Sequence, residues 1–203
     1  MLTLYHAPQT RSSRIIWLLE ELGAEYELRI TDISRPDGTG AADPANPHPD
    51  KKVPALVDDG VLITETIAIV LYLTDKFPKA GIGPQVGDAK RGSYLSWLGY
   101  YAGVIEPVVV LDFAGLGGNP MVQRSFRDRA AMDRQILAAL HAGPYLLGDR
   151  FSAADMLLVS LGIFVRAMLP PGEPVDSYLQ RCMQRPALGR ANANDRGKLP
   201  PMA

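Results

Sequence analysis

The sequence predicts an α/β unit followed by an all-α unit, and three observations support this division. Residues 2–30 combine a short apolar run, a helical stripe and a second extended run. Residues 55–63 carry the pattern of a β-hairpin, whereas only helical patterns follow Pro78. The 203 residues suffice for two modest domains, and 47% apolar with 21% charged residues is typical of globular proteins.

The first unit begins with a βαβ pattern. Residues 2–5 predict a strand, and residues 14–22 predict a helix with apolar side chains at helical spacing. Ser12 or Ser13 can cap this helix and Gly23 can end it. Because a second strand follows within about 30 residues, the two strands should pair in parallel with a right-handed crossover.

A hairpin and a helix complete the first unit. Residues 34–51 are rich in Pro, Gly, Asp and Asn, which predicts mostly loop with one short helix at most. Strands over 55–57 and 61–63 flank a turn at residues 58–60, and a helix over 65–77 follows. The predicted order is therefore β-α-β, loop, β-β-α.

The second unit is predicted to be entirely helical. A Gly/Pro-rich stretch resembles a linker and separates it from the first unit. The predicted domains are residues 1–78, a linker at 79–87, and an all-α domain over 88–203. Helices are expected over about 88–116, 121–142, 153–168 and 175–184.

Composition argues against several classes of function. The net charge of −1 and the interleaved acidic and basic residues argue against a nucleic-acid surface. The single cysteine, Cys182, provides neither an internal disulfide nor a CxxC pair, and His6, His48 and His141 lack metal-ligand spacing. No metal is therefore expected.

The sequence also predicts a cytoplasmic protein without membrane contact. It starts with an apolar strand rather than a basic segment followed by an apolar leader. No uninterrupted apolar run reaches the ~18 residues that a membrane span needs.

The residues from Lys52 to Thr66 form the first candidate site. Pro54 enters a strand and cannot donate to the sheet, so the backbone of Val53 could pair with an extended peptide, especially if the bond between them is cis. Glu65 and Thr66 lie at a predicted helix N-terminus, where free N–H groups attract a carboxylate. Glu65 could also accept from an ammonium group, so this pair suits the head group of an amino acid.

These motifs resemble those of the glutathione S-transferase superfamily. The matching features are the βαβ unit, V-P-A-L at residues 53–56 and L-I-T-E-T-I-A-I at residues 62–69. In the helical half, Y-L-L-G-D-R-F-S-A-A-D at residues 145–155 resembles the family's capping segment, with Ser152 and Asp155 as a capping box. R-P-A at residues 185–187 resembles another family element. The resemblance implies a thioredoxin-like N-terminal domain followed by an all-helical domain.

The resemblance implies a role for each residue of this first candidate site. Val53 would offer its backbone to the cysteinyl part of glutathione, and Pro54 would be the family's cis-proline. Glu65 and Thr66 would hold the γ-glutamyl end, and Lys52 would meet the glycyl carboxylate. The preceding lysine stands where related sequences have glycine, which leaves open which lysine reaches the ligand.

The resemblance also implies a hydroxyl that stabilises the glutathione thiolate. T-R-S-S-R at residues 10–14, before I-W-L-L-E-E-L-G, corresponds to an S-R-S-x-R segment of the family, which makes Thr10 the leading candidate. Tyr5 and Ser12 are the alternatives, although strand packing and helix capping respectively would also explain them. Arg11 could add positive potential near the sulfur or bridge to a second subunit. Without a cysteine in this segment, chemistry through an enzyme mixed disulfide is disfavoured.

The resemblance further implies a hydrophobic electrophile bound between the domains, and a homodimer. Aromatic and apolar side chains suited to such a pocket, or equally to helix packing, are Trp97, Tyr100, Tyr101, Ile105 and Phe113. The predicted function is glutathione transfer to electrophiles, or reduction of peroxides or disulfides. The alternative is a non-catalytic protein of the same fold that binds glutathione or hydrophobic ligands. A glutathione-dependent isomerase is a third option, but the family's serine-serine-cysteine run is missing.

Overall fold

The computed structural model describes residues 1–35 and 37–196, which form two units. The first unit contains a four-stranded sheet of order β2-β1-β3-β4. Strand β1 pairs in parallel with β2 and antiparallel with β3, and β3 pairs antiparallel with β4. The elements are β1 (Leu2–His6), α1 (Ser13–Leu22), β2 (Tyr26–Ile30), β3 (Ala55–Asp58), β4 (Val61–Ile63) and α2 (Thr66–Lys76). The predicted βαβ-ββα order is confirmed.

Helix α1 is buried on more than its predicted apolar stripe. Ile16 and Trp17, outside that stripe, are 0% and 1% exposed. Both flanks are covered because α1 contacts α2 and also the last helix of the chain, α9 (Pro186–Arg196). Gly23 ends α1 with a φ of +62°, a left-handed conformation that glycine adopts at no steric cost.

The hairpin between β3 and β4 follows from its two turn residues. Asp59 and Gly60 have φ values of +47° and +85°, and two successive positive φ angles define a type I′ turn. This turn has the twist of the flanking strands, so Asp-Gly sets the register in which Leu56 pairs with Ile63. No helix forms between β2 and β3 in the described part of that loop.

The second unit, residues 81–184, is helical throughout its regular structure. Its helices are α3 (Arg91–Tyr100), a π-helical turn (Tyr101–Ile105), α4 (Glu106–Phe113), α5 (Pro120–Ser125), α6 (Arg129–Ala142), α7 (Ala153–Phe164), a 3₁₀ turn (Arg166–Met168) and α8 (Glu173–Met183). The predicted helix over 121–142 is interrupted. Phe126 is extended, and the Asp128 carboxylate starts α6 by accepting from the Ala131 N–H at 2.7 Å.

The long helical segment Arg91–Phe113 has the length and apolar composition of a membrane span. It is not an uninterrupted apolar run, because Glu106 and Asp112 lie within it. In the structure, 44% of its most apolar 18-residue window is buried, and α3 packs against α7. Core helices of globular proteins have the same length and apolar composition. The packing of α3 against α7 supports the interpretation that this segment is a core helix.

The last helix, α9, belongs to the first unit, whereas the sequence analysis placed residues 88–203 in the helical domain. Arg185 donates to both carboxylate oxygens of Glu21 at 2.6 and 2.7 Å, and Arg190 donates to Glu20 at 2.8 Å. Ala187 and its neighbours Leu188 and Ala191 are also buried. These contacts join α9 to α1; residues 197–203 of the predicted domain lie outside the described residues. The division after Ala80 falls within the predicted linker at 79–87.

A buried carboxylate organises the start of α7. Asp155 is fully buried and accepts from the Leu146 N–H and the Ser152 N–H, both at 2.8 Å. The Ser152 and Tyr178 hydroxyls also donate to it, at 2.9 and 3.2 Å. Burial raises the pKa of Asp155, while these donors act in the opposite direction. The predicted capping box of Ser152 and Asp155 is confirmed.

Candidate functional site

The turn between β1 and α1 holds the leading catalytic candidate. Thr10 is half-buried, and its hydroxyl lies 2.7 Å from the Ala7 carbonyl oxygen and 2.8 Å from the Ser12 hydroxyl. The Ser12 N–H donates to the same Thr10 oxygen at 3.2 Å. The Thr10 side chain is therefore fixed in one orientation by the turn that carries it.

Ser12, one of the two serines that could cap α1 according to the sequence, does not cap it. Its backbone is helical, with φ −73° and ψ −20°, and its side chain makes no capping hydrogen bond. Instead its fully buried hydroxyl lies 2.7 Å from Nδ1 of His6 and accepts from the Ala7 N–H at 3.2 Å. Ser12 thus ties the end of β1 to the turn, and its burial separates it from any ligand surface.

His6 and Asp195 extend this group into the interior. His6 is fully buried, and its Nε2 lies 2.8 Å from Oδ1 of Asp195, although the contact is bent away from ideal hydrogen-bond geometry. Asp195, on α9, also accepts from the Ser13 hydroxyl at 3.0 Å and from the Gln9 N–H at 3.4 Å. Burial alone would raise the pKa of Asp195, but the close His6 ring and the hydrogen bond from Ser13 outweigh it and lower that pKa.

A cleft of about 750 Å³ opens beside this turn within the first unit. It brings together four residues selected from the sequence: Thr10, Arg11, Lys52 and Val53. The rest of its lining was not predicted and comprises Gln9, Ile33, Ser34, Arg35 and Asp37. Arg11, Arg35 and Lys52 give the cleft three cationic side chains against one carboxylate, that of Asp37, a balance suited to an anionic ligand.

The structure distinguishes the two neighbouring lysines. The Lys51 ammonium donates to the Asn46 carbonyl at 2.7 Å and to the Pro44 carbonyl at 3.4 Å, so it braces its own loop. Its φ of +53° explains the glycine of related sequences, because glycine adopts this conformation without steric cost. Lys52 is exposed and lines the cleft, while its backbone carbonyl accepts from the Asn46 amide at 3.0 Å.

The Val53–Pro54 peptide bond is cis, as the sequence analysis anticipated. Pro54 is buried and leads into β3, whereas Val53 is half-buried at the cleft. Glu65 and Thr66 lie at the N-terminus of α2 and are absent from the cleft lining. Glu65 has a φ of +67°, a conformation that costs a non-glycine residue about 1–3 kcal/mol, and no side chain caps the helix.

Tyr5 is not brought together with Thr10. Side chains alternate along a strand, so Tyr5 and His6 point to opposite faces of the sheet. The Tyr5 hydroxyl accepts from Arg29 on β2 at 3.3 Å, and the Arg29 guanidinium lies 5.9 Å from the Tyr5 ring centre. The tyrosine alternative therefore lies across the sheet from the serine and histidine.

The five residues predicted to line an electrophile pocket differ in exposure. Tyr100, Tyr101 and Ile105 are buried in the helical unit, which agrees with the packing role also considered from the sequence. Trp97 is half-buried and packs edge-on against Tyr100 at 5.6 Å, and Phe113 is 63% exposed. The buried Tyr100 hydroxyl has no hydrogen-bond partner among residues 1–35 and 37–196, and burial raises its pKa. The pocket itself stays a prediction.

Comparison with known proteins identifies the family. A family model described as the glutathione S-transferase N-terminal domain matches residues 1–75. Glutathione S-transferase GstA of Escherichia coli O157:H7 is 27% identical over 192 residues, covering 90% of this chain and 93% of that protein. Glutathione S-transferase 3 of Schizosaccharomyces pombe is 27% identical over 176 residues, covering 76% of this chain and 70% of that protein.

A solved structure agrees with these relatives. The sphingomonad glutathione S-transferase complexed with glutathione is 26% identical, has a TM-score of 0.73, and covers 97% of this chain and 100% of its own. These comparisons support the glutathione S-transferase superfamily for this chain, whose residues 1–75 match the family's N-terminal domain. The family's thioredoxin-like domain followed by an all-helical domain is thereby confirmed as its fold, and the family is one of transferases. All residues that line the cleft lie within the matched segment.

Sequence reasoning missed two groups of residues around the site. The loop residues Ile33, Ser34, Arg35 and Asp37 follow β2, and no local motif distinguishes them from an ordinary loop. His6 and Asp195 lie 189 positions apart in the sequence, so their contact could not be inferred from spacing.

Proposed function

We propose that the chain is a glutathione transferase that binds glutathione in the cleft of its first unit and stabilises the thiolate with Thr10. The observation that carries this proposal is the cleft itself, where Thr10, Arg11, Lys52 and Val53 converge beside the cis-proline. Membership of the superfamily, and the relative whose structure contains glutathione, support the choice of ligand.

The peptide is held along its backbone and at both ends. The N–H and C=O groups of Val53 pair with the cysteinyl residue as an added strand would. Lys52 binds the glycyl carboxylate, with Arg11 adding positive potential across the cleft. The uncapped N-terminus of α2 receives the γ-glutamyl carboxylate through the Thr66 N–H and hydroxyl, and Glu65 accepts from the ammonium group.

The thiol is activated by a positioned hydroxyl. A free thiol has a pKa of about 8.5, so most of it is protonated and a poor nucleophile at neutral pH. A hydrogen bond from Thr10 to the sulfur favours the charged form, and the Arg11 guanidinium acts in the same direction. The thiolate then attacks a hydrophobic electrophile, a peroxide or a disulfide. Trp97 and Phe113 are the predicted pocket residues with ring surface accessible to such a substrate. The protein acts as a cytoplasmic homodimer in this proposal.

Glutathione binding and turnover test the proposed function directly. We expect saturable binding of glutathione by calorimetry, and glutathione-dependent turnover of a generic aromatic halide. Binding without turnover of an aromatic halide, an organic peroxide or a disulfide would contradict the transferase assignment. Absence of glutathione binding would contradict the assignment of glutathione as the ligand.

The two lysines are expected to differ in their effects on binding. Lys52→Met removes a cation from the cleft and should weaken glutathione binding about 2- to 5-fold, because an exposed ion pair contributes up to about 1 kcal/mol. Calorimetric titration of glutathione into the wild type and Lys52→Met measures the change in affinity.

Lys51→Met is the matched control for this change. It removes the same charge from the adjacent position but breaks hydrogen bonds within the loop, so thermal stability should fall while glutathione affinity stays near that of the wild type. If Lys51→Met weakened binding more than Lys52→Met, the assignment of Lys52 to the glycyl carboxylate would be wrong.

A further inference from the structure

A continuous line of polar contacts leads from the cleft to a carboxylate in the interior of the first unit. Thr10 lines the cleft, and its hydroxyl oxygen lies 2.8 Å from the Ser12 hydroxyl. The Ser12 oxygen lies 2.7 Å from Nδ1 of His6, whose Nε2 lies 2.8 Å from Asp195. Ser12 and His6 are both fully buried, whereas Thr10 and Asp195 are half-buried, so the middle of this line is shielded from water.

The donor and acceptor capacities give the line a direction. A carboxylate only accepts, so Asp195 favours the tautomer of His6 that carries its hydrogen on Nε2. The Nδ1 atom of this neutral ring is then an acceptor, and Ser12 must donate to it. The Thr10 hydroxyl donates its one hydrogen to the Ala7 carbonyl at 2.7 Å, so it must turn from that carbonyl to donate to Ser12. With the Ser12 hydrogen directed inwards, Ser12 can then accept from Thr10, and the Thr10 oxygen can accept a proton from the cleft.

We propose that these four residues form a proton relay in which His6, oriented by Asp195, takes up the thiol proton of bound glutathione. The inference rests on the proposed function. The S–H bond breaks as its proton moves to the Thr10 oxygen, the Thr10 hydrogen moves to Ser12, and the Ser12 hydrogen moves to Nδ1 of His6.

The products of this transfer are a thiolate and an imidazolium. One proton has moved from sulfur to nitrogen, each hydroxyl has exchanged one hydrogen for another, and no electrons have changed hands. The renewed Thr10 hydroxyl donates to the thiolate. When the sulfur has bonded to the electrophile and its leaving group has departed with the bond electrons, the proton returns along the same line to water in the cleft.

The surroundings of His6 favour this role. The negative charge of Asp195 offsets the positive charge that arrives on the ring, and the lowered pKa of Asp195 keeps its carboxylate ionised at neutral pH. Several other charged groups on the elements around the ring have partners of opposite charge, as Glu20 has in Arg190 at 2.8 Å and Glu27 has in Arg29 at 3.0 Å. The other charged groups on these elements, among the described side chains, are Arg14, Glu20 and Glu21 on α1, Arg190 on α9, Glu27 and Arg29 on β2, and Asp58 on β3.

A purely mechanical role for Asp195 makes a different prediction. Its contacts with Ser13 and Gln9 also brace the turn, so the loss of a brace would loosen the cleft and weaken all ligands equally. A relay affects the ionisation of the thiol and leaves unchanged the binding of a ligand that cannot ionise. Glutathione and S-methylglutathione therefore separate the two roles.

The experiment titrates the thiolate absorbance of bound glutathione in the wild type, Asp195→Asn, His6→Asn and Ser12→Ala. We expect each variant to raise the thiol pKa by about one unit, which lowers the ratio of thiolate to thiol at a given pH about tenfold. The pH–rate profile should shift to higher pH by the same amount, and the dissociation constant for S-methylglutathione should stay within about twofold of the wild-type value. If His6→Asn does not fold because this side chain is buried, Asp195→Asn and Ser12→Ala decide between the relay and the mechanical role.

Arg190→Gln is the matched control, because it weakens the attachment of α9 to α1 without touching the relay. It should leave the thiol titration unchanged. The relay is overturned if the three relay variants titrate like the wild type, or if their only effect is weaker S-methylglutathione binding. Wild-type protein that does not bind glutathione would overturn the proposed function and the relay together, and this is visible without any variant.

Discussion

Thr10→Ala should lower kcat/KM for glutathione-dependent turnover about 10- to 100-fold, because a hydrogen bond to a charged group contributes about 1.5–3 kcal/mol. The Thr10 hydroxyl is held at the cleft by the Ala7 carbonyl and the Ser12 hydroxyl, so its removal leaves no replacement donor in the same place. The thiol pKa of bound glutathione should rise correspondingly. Steady-state kinetics and titration of the thiolate absorbance measure the two effects.

Thr10→Ser and Tyr5→Phe are the controls for this change. Serine keeps the hydroxyl and should retain most of the activity. Tyr5→Phe removes a hydroxyl that accepts from Arg29 on the opposite face of the sheet, so both activity and thiol titration should be unchanged. An unchanged titration in Thr10→Ala, together with a raised pKa in Tyr5→Phe, would reverse the assignment.

Asp155→Ala should lower the free energy of unfolding of the helical unit by at least about 3 kcal/mol, since each buried donor left without a partner costs about 1–3 kcal/mol. The change removes the acceptor from two backbone N–H groups, those of Leu146 and Ser152, and from the Tyr178 hydroxyl. Asp155→Asn keeps one acceptor oxygen and should be intermediate. Urea unfolding followed by circular dichroism measures the loss.

Asp149→Asn is the control for removal of a carboxylate close by in the same segment. Asp149 is 77% exposed and pairs with Lys90 at 2.6 Å, and water screens such a pair, so Asp149→Asn should leave the free energy of unfolding nearly unchanged. Equal losses in Asp149→Asn and Asp155→Ala would mean that the buried network does not stabilise α7.

The parts of the fold that were predicted correctly depend on local chemistry. Asp59 and Gly60 predict a hairpin because both positions need positive φ angles, and Gly23 ends α1 for the same reason. Ser152 and Asp155 identify the start of α7 because a capping box is a short-range pattern. Each of these signals is complete within a few residues.

The parts that were missed depend on contacts between residues remote in sequence, or on a helix with few apolar residues. Helix α9 has the sequence P-A-L-G-R-A-N-A-N-D-R, whose few apolar residues give no strong helical stripe. Its attachment to α1 depends on Arg185 and Arg190, whose partners lie more than 160 positions earlier. The break between α5 and α6 did have a local signal, because Asn119 and Asp128 are both good N-caps.

The candidate site was predicted in outline and not in detail. Thr10, Arg11, Lys52 and Val53 were selected from motifs, and the structure places all four around one cleft. Ser12 was interpreted as a helix cap because serine before a helix usually is one. That expectation failed because Nδ1 of His6, at 2.7 Å, engages the same hydroxyl.

The return of α9 to the first unit has a consequence for the order in which the protein is made. Residues 81–184 form one uninterrupted stretch, so the helical unit is available in full before the last part of the chain is synthesised. The sheet and α1 come off the ribosome first, but the surface of α1 that α9 covers stays exposed until residues 186–196 emerge. The first unit therefore starts to be synthesised before the helical unit but is completed after it, and Asp195 reaches His6 only once α9 has emerged.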